Sequence, residues 1–156
     1  MKFELVHLSS AQEKWTDLAT AHYLDKISYF TKIEIHDIGS VKSPRNSQSN
    51  KVAAESEKIL KYIRSDDYVV LFDEHGESLN SLEFSKTIEK ILNSGKKRAL
   101  FVIGGAFGVG LDVKDRANKK ISLSPMVFNH LVAQVVALEQ IYRGFMIFKN
   151  LPYHNK

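Results

Sequence analysis

Apolar positions along this chain fall into two patterns. Tyr68-Val-Val-Leu-Phe72 and Ala99-Leu-Phe-Val-Ile103 are unbroken runs of strand length, as expected for strands covered on both faces. Lys2–Leu8 also reads as a strand, and Lys32–Ile38 alternates, with Ile33 and Ile35 inward. Other stretches follow the helical period. Ser10 and Glu13 have capping-box spacing ahead of a helix with Trp15, Leu18, Ala19 and Tyr23 near one face. Val52, Ile59, Leu60 and Ile63 predict a helix over 52–64. A further helix over 81–93 has Leu82, Ser85, Ile88 and Leu92 on one face and Gly95 past its end. A short helix over 111–117, a short strand over 120–123 and a long apolar helix from Asn129 to about Met146 complete the pattern. The polar stretch 39–51 predicts a mobile loop, and Asp73-Glu-His-Gly76 a turn. Alternating strands and helices imply a single α/β domain over 1–156, with a mostly parallel sheet and helices on both faces.

Composition narrows the class. Hydrophobic residues are 44% and charged residues 26%, so the chain is globular. With no cysteine, disulfides, thiolate metal sites and a cysteine nucleophile are excluded. Met1–Val6 lacks the apolar core of a signal peptide, and no apolar run approaches bilayer length, so a cytoplasmic protein without a membrane partner is expected. His7, His22, His36 and His75 lack metal-ligand spacing, and no metal is expected. The net charge of +4 is compatible with a nucleic-acid partner.

Three segments can carry chemistry. Gly104-Gly-Ala-Phe-Gly-Val-Gly110 places four glycines in seven residues after a buried strand. It is either a tight strand-to-helix turn or a loop whose backbone approaches a ligand. It is neither a dinucleotide fingerprint nor a P-loop. The helix from Asn129 is apolar around much of its surface, as for a helix at the domain centre or at a subunit interface. Its Glu139 and Arg143 are spaced to pair, and Glu139 and Gln140 fit internal hydrogen bonds best. The end, Pro152-Tyr-His-Asn-Lys156, offers a stacking ring in Tyr153, a base in His154 and a cation in Lys156. Asp73 and Glu74 suit an exposed turn better than a pair of catalytic acids.

Three ordered motifs carry a resemblance. They are Phe101-Val-Ile-Gly-Gly105 with Gly108; Leu123-Ser with Met126, Phe128 and His130; and Glu139-Gln with Tyr142-Arg143, followed by Pro152-Tyr-His154. Together they resemble the RlmH family of ribosomal large-subunit methyltransferases, within the SPOUT superfamily, over the whole length. The resemblance implies a SPOUT-type α/β knot, with a trefoil knot toward the C-terminus. It implies S-adenosylmethionine held by backbone at Phe72, at Gly104 and through Leu123, Ser124, Pro125, Met126, Val127 and Phe128. It implies a homodimer packed through the last helix. The implied reaction methylates N3 of a pseudouridine in 23S ribosomal RNA on the assembled ribosome, with Arg143, Tyr153 and His154 as catalytic candidates.

The chain departs from the family pattern at several positions. Ser9-Ser10 stand where Gly-Lys is usual, Asn129 for Pro, Leu131 for Gln, Gln134 for Arg, and Asn150 near the usual Gly. Lost cations would weaken phosphate contacts. A catalytically weak ribosome-binding factor and a methyltransferase for a different RNA therefore stand as alternatives.

Overall fold

A computed structural model describes residues 1–9, 13–42 and 47–153. Five strands form one all-parallel sheet: β1 (Lys2–His7), β2 (Lys32–Asp37), β3 (Tyr68–Ser78), β4 (Arg98–Ile103) and β5 (Lys119–Ser122), in the order β2-β1-β4-β3-β5. β4 lies at the centre and is buried at every residue, which its unbroken apolar run requires.

The helices are α1 (Lys14–Ser28), α2 (Gln48–Tyr62), α3 (Ser81–Leu92), α4 (Leu111–Arg116) and α5 (His130–Phe148). Alternate strand residues feed two cores. Phe3, Leu5, Val70 and Phe101 meet Ile27 of α1, Ile88 and Ile91 of α3, and Ala137, Leu138, Ile141 and Phe145 of α5. On the opposite face, Val6, Val69, Leu71 and Leu100 meet Ile59 of α2 and Val113 of α4.

Several expectations need correction. α1 turns Thr16, Thr20 and Ile27 inward, while Trp15 and Leu18 are 48% and 74% exposed. The inward position is set by packing against β2 and α5, which overrides simple hydrophobicity. Glu13 is the N-cap of α1 without a side-chain cap, and Ser10 lies outside the described residues. Leu82 is likewise exposed, and α3 buries Phe84, Ile88 and Ile91. A capping box of Asn80 and Glu83 starts α3, a signal the spacing contained. The polar 39–51 stretch ends early, because α2 begins at Gln48; residues 43–46 lie outside the described residues. β3 also continues past the expected turn to Ser78 after a register shift between Phe72 and Glu77. α5 is long and apolar enough to cross a bilayer, unlike the expectation for the chain, but much of its apolar surface is built into the core.

The amino edge of the sheet is held by a buried ionic group. Arg98 donates to both oxygens of Asp67, Nε to Oδ1 at 2.8 Å and Nη2 to Oδ2 at 2.6 Å, and its Nη1 donates to Glu4 at 3.1 Å. The Tyr62 hydroxyl donates to Glu4 at 2.8 Å, tying the end of α2 to the sheet. Lys2 bridges Glu4 and Glu34 at 2.7 and 2.8 Å. Glu4, Glu34 and His36 approach one another like metal ligands, but lysine and arginine already compensate the carboxylates.

Burial alone would raise the Asp67 and Glu4 carboxyls. The Arg98 and Arg64 contacts of Asp67, and the Lys2, Tyr62 and Arg98 contacts of Glu4, more than offset this and hold both below their ordinary values. Folded values below unfolded ones mean the stabilisation is complete above the ordinary 3.8 and 4.5 and is lost as pH falls through the depressed values. Asp67→Ala should destabilise by about 3–5 kcal/mol, because it strands a buried guanidinium. Asp67→Asn should flatten the acid limb of the stability–pH curve. Denaturant titration at a series of pH values reads both effects, and an acid limb as steep in Asp67→Asn as in the wild type would contradict this account.

Candidate active site at the carboxyl edge of the sheet

The five strands reach one level, where β3 shifts register after Phe72. Asp37, His7, Ile103, Phe72 and Ile121 are successive register partners across the five strands. The loops after β3, β4 and β5 therefore leave from one edge, the usual place for a ligand on a parallel sheet.

The loop after Phe72 is structural. Asp73 pairs with Lys114 at 2.7 Å and accepts from the His75 backbone at 2.8 Å, so it braces the turn against α4. Burial would raise its carboxyl, but Lys114 and the His75 N–H hold it below the ordinary value. Glu74 and His75 are exposed beside each other. Gly76 passes against the next strand: a Cβ there would lie 2.6 Å from the backbone N and C of Ile121, so only glycine fits.

The glycine loop is gripped from beneath by α2. Ser56 Oγ accepts from Gly110 N at 2.8 Å. Glu55 is fully buried; its Oε1 accepts from the Ser40 hydroxyl at 2.6 Å and from Val41 N at 3.0 Å. Its Oε2 has no hydrogen-bond partner and faces Gly105 so closely that a Cβ there would collide with it. Glu55 was missed by the sequence reading. Its signal was its place three residues after Val52 and four before Ile59, within the apolar stripe of α2. Gly104 lacks a side chain for a local reason, because a Cβ would lie 2.7 Å from Val109 Cγ1.

The third loop is pinned at both ends. Leu123 and Phe128 pack on the core, while Met126 and Val127 are 73% and 84% exposed. Ser122 Oγ donates to Ser124 O at 3.0 Å, and Ser124 Oγ accepts from Met126 N at 2.9 Å, shaping a turn through Pro125. Asn129 Oδ1 then accepts from Leu131 N at 2.9 Å and caps α5. His130 Nε2 lies 3.1 Å from the Ser9 hydroxyl at the end of β1.

Arg143 and Tyr153 lie elsewhere. α5 runs antiparallel to the strands, from His130 beside Ser9 to Phe145 against Phe3 at 5.4 Å. Thirteen helical residues separate His130 from Arg143, about 20 Å. Glu139 Oε1 accepts from Arg143 Nε and Nη2 at 2.9 and 2.6 Å, and Gln140 Nε2 donates to Glu139 Oε2 at 2.5 Å. The guanidinium stacks 4.8 Å from the Tyr153 ring, which meets Tyr142 edge-on at 4.8 Å, and the Tyr153 hydroxyl reaches Glu139 at 3.5 Å. The Glu139 contact raises Arg143 above its ordinary value. Burial, then the Glu139 charge, pushes the Tyr153 phenol above 10.0, so it is a donor at neutral pH. His154 lies outside the described residues.

A Schellman turn brings Tyr153 back onto the helix. Asn150 N donates to Ile147 O at 3.0 Å and Leu151 N to Met146 O at 2.8 Å, with Asn150 at φ 54°.

The family described as "Predicted SPOUT methyltransferase" matches residues 1–154. A Bdellovibrio bacteriovorus protein named ribosomal RNA large subunit methyltransferase H is 55% identical over 155 residues, covering 99% of each chain. Proteins of the same name from Christiangramia forsetii and Flavobacterium psychrophilum are 38% and 36% identical, each over 157 residues and 100% of both chains.

The left-handed turn makes a direct prediction. Asn150→Gly should preserve or raise thermal stability. Asn150→Val should lower stability by about 1–2 kcal/mol, since a β-branched residue there is strained. Equal melting temperatures for the two variants would contradict the assignment.

Proposed function

The chain belongs to the SPOUT methyltransferase family, and from that premise we propose that it transfers a methyl group from S-adenosylmethionine to N3 of a pseudouridine in 23S ribosomal RNA of the assembled large subunit. The observation that carries this reading is the convergence of three loops at one sheet edge in a chain of this family. The proposal includes a single domain over 1–156, a cytoplasmic location on the ribosome and a trefoil knot in the C-terminal part.

The residues fit the cofactor. Phe72, Gly104 and the segment 123–128 present backbone at the edge, and the exposed Met126 and Val127 offer apolar cover. The Glu55 carboxylate under Gly105 is ion-paired with Lys51 Nζ at 3.8 Å through Oε1, and its Oε2 faces the loop. The bound cofactor supplies an electrophilic methyl group. The chain must then orient the base, stabilise the negative charge that develops as the N3 proton leaves, and accept that proton. Arg143 fits charge stabilisation, and Tyr153 fits stacking and hydrogen-bond donation. The base role falls to His154, as the family resemblance implies, and the Tyr153 phenol, held above its ordinary value, stays a donor.

Arg143 lies far from the loops of its own chain, so a second copy completes the site. The buried side of α5 serves its own core, with Leu138 fully buried, so the helix's broad apolar surface is only partly left for a partner. What remains is a stripe of Val132, Val135 and Val136 continuing into Glu139 and Arg143. Two such stripes packed antiparallel about a two-fold axis form an isologous dimer and carry each Arg143 toward the other chain's loops.

The weak-factor reading rests on two missing cations, and it loses one of those grounds at Gln134. That residue is buried and donates to the Thr20 hydroxyl at 3.1 Å, so an arginine missing there removes no cation from the surface of this chain.

Purified protein with labelled S-adenosylmethionine should methylate ribosomes from cells lacking its gene, with N3-methylpseudouridine as product. Label on a different nucleotide would overturn the substrate, and no label would overturn the activity. Removing 152–156 should leave fold and cofactor affinity near native and cut transfer roughly a hundredfold or more. Val132→Asp with Val135→Asp should give monomers by sedimentation. Arg143→Ala and Gly105→Val should each be inactive alone. Co-refolded mixtures should regain about a quarter of wild-type activity, from heterodimers with one intact composite site. No recovery would place the site within one chain.

A further inference from the structure

The glycine loop rests on two consecutive residues of α2. Glu55 lies beneath its start, where a Cβ on Gly105 would collide with the carboxylate. Ser56 Oγ accepts from Gly110 N at 2.8 Å at its end. Between them the loop folds on itself: Gly108 N donates to Gly105 O at 3.0 Å, with Gly108 at φ 76°. Ala106 and Phe107 stand out at the tip, both exposed. The turn is thus a closed unit, and its height and tilt over the sheet are set by what lies below it.

A carboxylate is an expensive support. Glu55 is fully buried, on a helix face where Ile59, one turn on, is apolar. An apolar side chain of that size would fill the position at lower desolvation cost. What the carboxylate adds is reach. Its Oε1 accepts from the Ser40 hydroxyl at 2.6 Å and from Val41 N at 3.0 Å, and pairs with Lys51 Nζ at 3.8 Å. Lys51 Nζ in turn lies 5.8 Å from the centre of the Phe107 ring, so the same ion pair reaches the tip of the loop. In the other direction, Ser40 N donates to Ser9 O at 3.1 Å. The Ser9 hydroxyl lies 3.1 Å from Nε2 of His130, two residues after Phe128. A continuous polar route therefore runs from the glycine loop, through Glu55 and the segment after β2, to the start of α5.

We propose that Glu55 is a positioning residue for cofactor binding: it fixes the glycine loop over the sheet and ties it, through Ser40 and Ser9, to the loop that ends at Phe128. This rests on the reading of the glycine loop as part of the S-adenosylmethionine site. The loop itself covers Glu55 Oε2, so the residue acts through the backbone above it and not on the cofactor. The segment after β2 is not one of the three cofactor loops, and a change at Ser40 reaches the cofactor along this route.

Two variants of the full chain test this. Glu55→Gln keeps an oxygen for Ser40 and Val41 and removes the charge; Ser40→Ala removes one half-buried hydroxyl. In the ligand-free protein, the amide resonances of Gly105, Gly108 and Gly110 should shift in both variants, while those of Ile88 and Ile91 in α3, on the other face of the sheet, stay in place. The S-adenosylmethionine dissociation constant, by calorimetry well below the melting temperature, should rise about tenfold in Glu55→Gln and about threefold in Ser40→Ala. A merely structural loss would leave the folded fraction, and with it this affinity, unchanged. In methyl transfer the loss should fall on KM for S-adenosylmethionine, with KM for ribosomes within about twofold of wild type. If Glu55→Gln does not fold, Ser40→Ala carries the same test. Unmoved loop resonances in Ser40→Ala, or wild-type cofactor affinity in that variant, would overturn the proposal. A wild-type chain that binds no S-adenosylmethionine would overturn the cofactor reading, while shifts confined to the loop would still show that Glu55 holds it.

Discussion

The constraint on which this structure rests is the level carboxyl edge of an all-parallel sheet. Parallel neighbours cannot be joined by tight turns, so each strand must be followed by a crossover that starts at the same edge. With Asp37, His7, Ile103, Phe72 and Ile121 in register, five chain exits are gathered along one line. Polar chemistry collects there because loops can present backbone groups that strands have already committed to the ladder. The opposite edge is closed by charge: Arg98, Asp67 and Glu4 fix it in a way that leaves little freedom for a ligand. One edge is thus built for exchange with solvent and the other for permanence.

α5 carries the chain from one edge of the sheet to the other. It starts at the carboxyl edge, where His130 meets Ser9, and ends near the amino edge, where Phe145 packs between Phe3 and Phe30. A helix of this length separates its two ends by more than a bound nucleotide can bridge. The loops and the Glu139–Arg143–Tyr153 group therefore belong to different ends of one protomer. In the dimer proposed above, an antiparallel pairing of two copies would bring unlike ends together and cover the valine stripe left on α5.

Much of this was legible in the residues. The unbroken runs at 68–72 and 99–103 identify the central strands because burial on both faces leaves no polar position. The pairing of Glu139 with Arg143 followed from spacing alone. What the pattern misplaced were faces: Trp15, Leu18 and Leu82 were assigned inward, yet Thr16, Thr20 and Phe84 take those places. A helical period fixes the stripe only when the apolar set is unambiguous, and α1 has threonines that pack as small apolar groups. Glu55 was invisible for the converse reason, since a charge in an apolar stripe reads as noise until the glycine loop is placed above it. The distance between Arg143 and the loops could not be read at all, because it depends on the direction in which α5 crosses the sheet.

The departures from the family pattern can now be weighed individually. Asn150 occupies a left-handed position where asparagine is the next best residue to glycine, and the turn it closes is intact. Asn129 replaces a proline at a helix start and supplies a side-chain cap that proline cannot. Gln134 stands for an arginine but is matched by Thr20, in an interior that would have charged a cation heavily for desolvation. Ser9 bonds the motif histidine His130. These four are accommodated by neighbouring groups, although Gln134 keeps an unmatched Oε1; Leu131 is buried and apolar, and Ser10 lies outside the described residues. A site drifting toward inactivity accumulates unanswered groups, and the Arg143, Glu139 and Tyr153 set has none among its hydrogen-bonding atoms left buried without a partner.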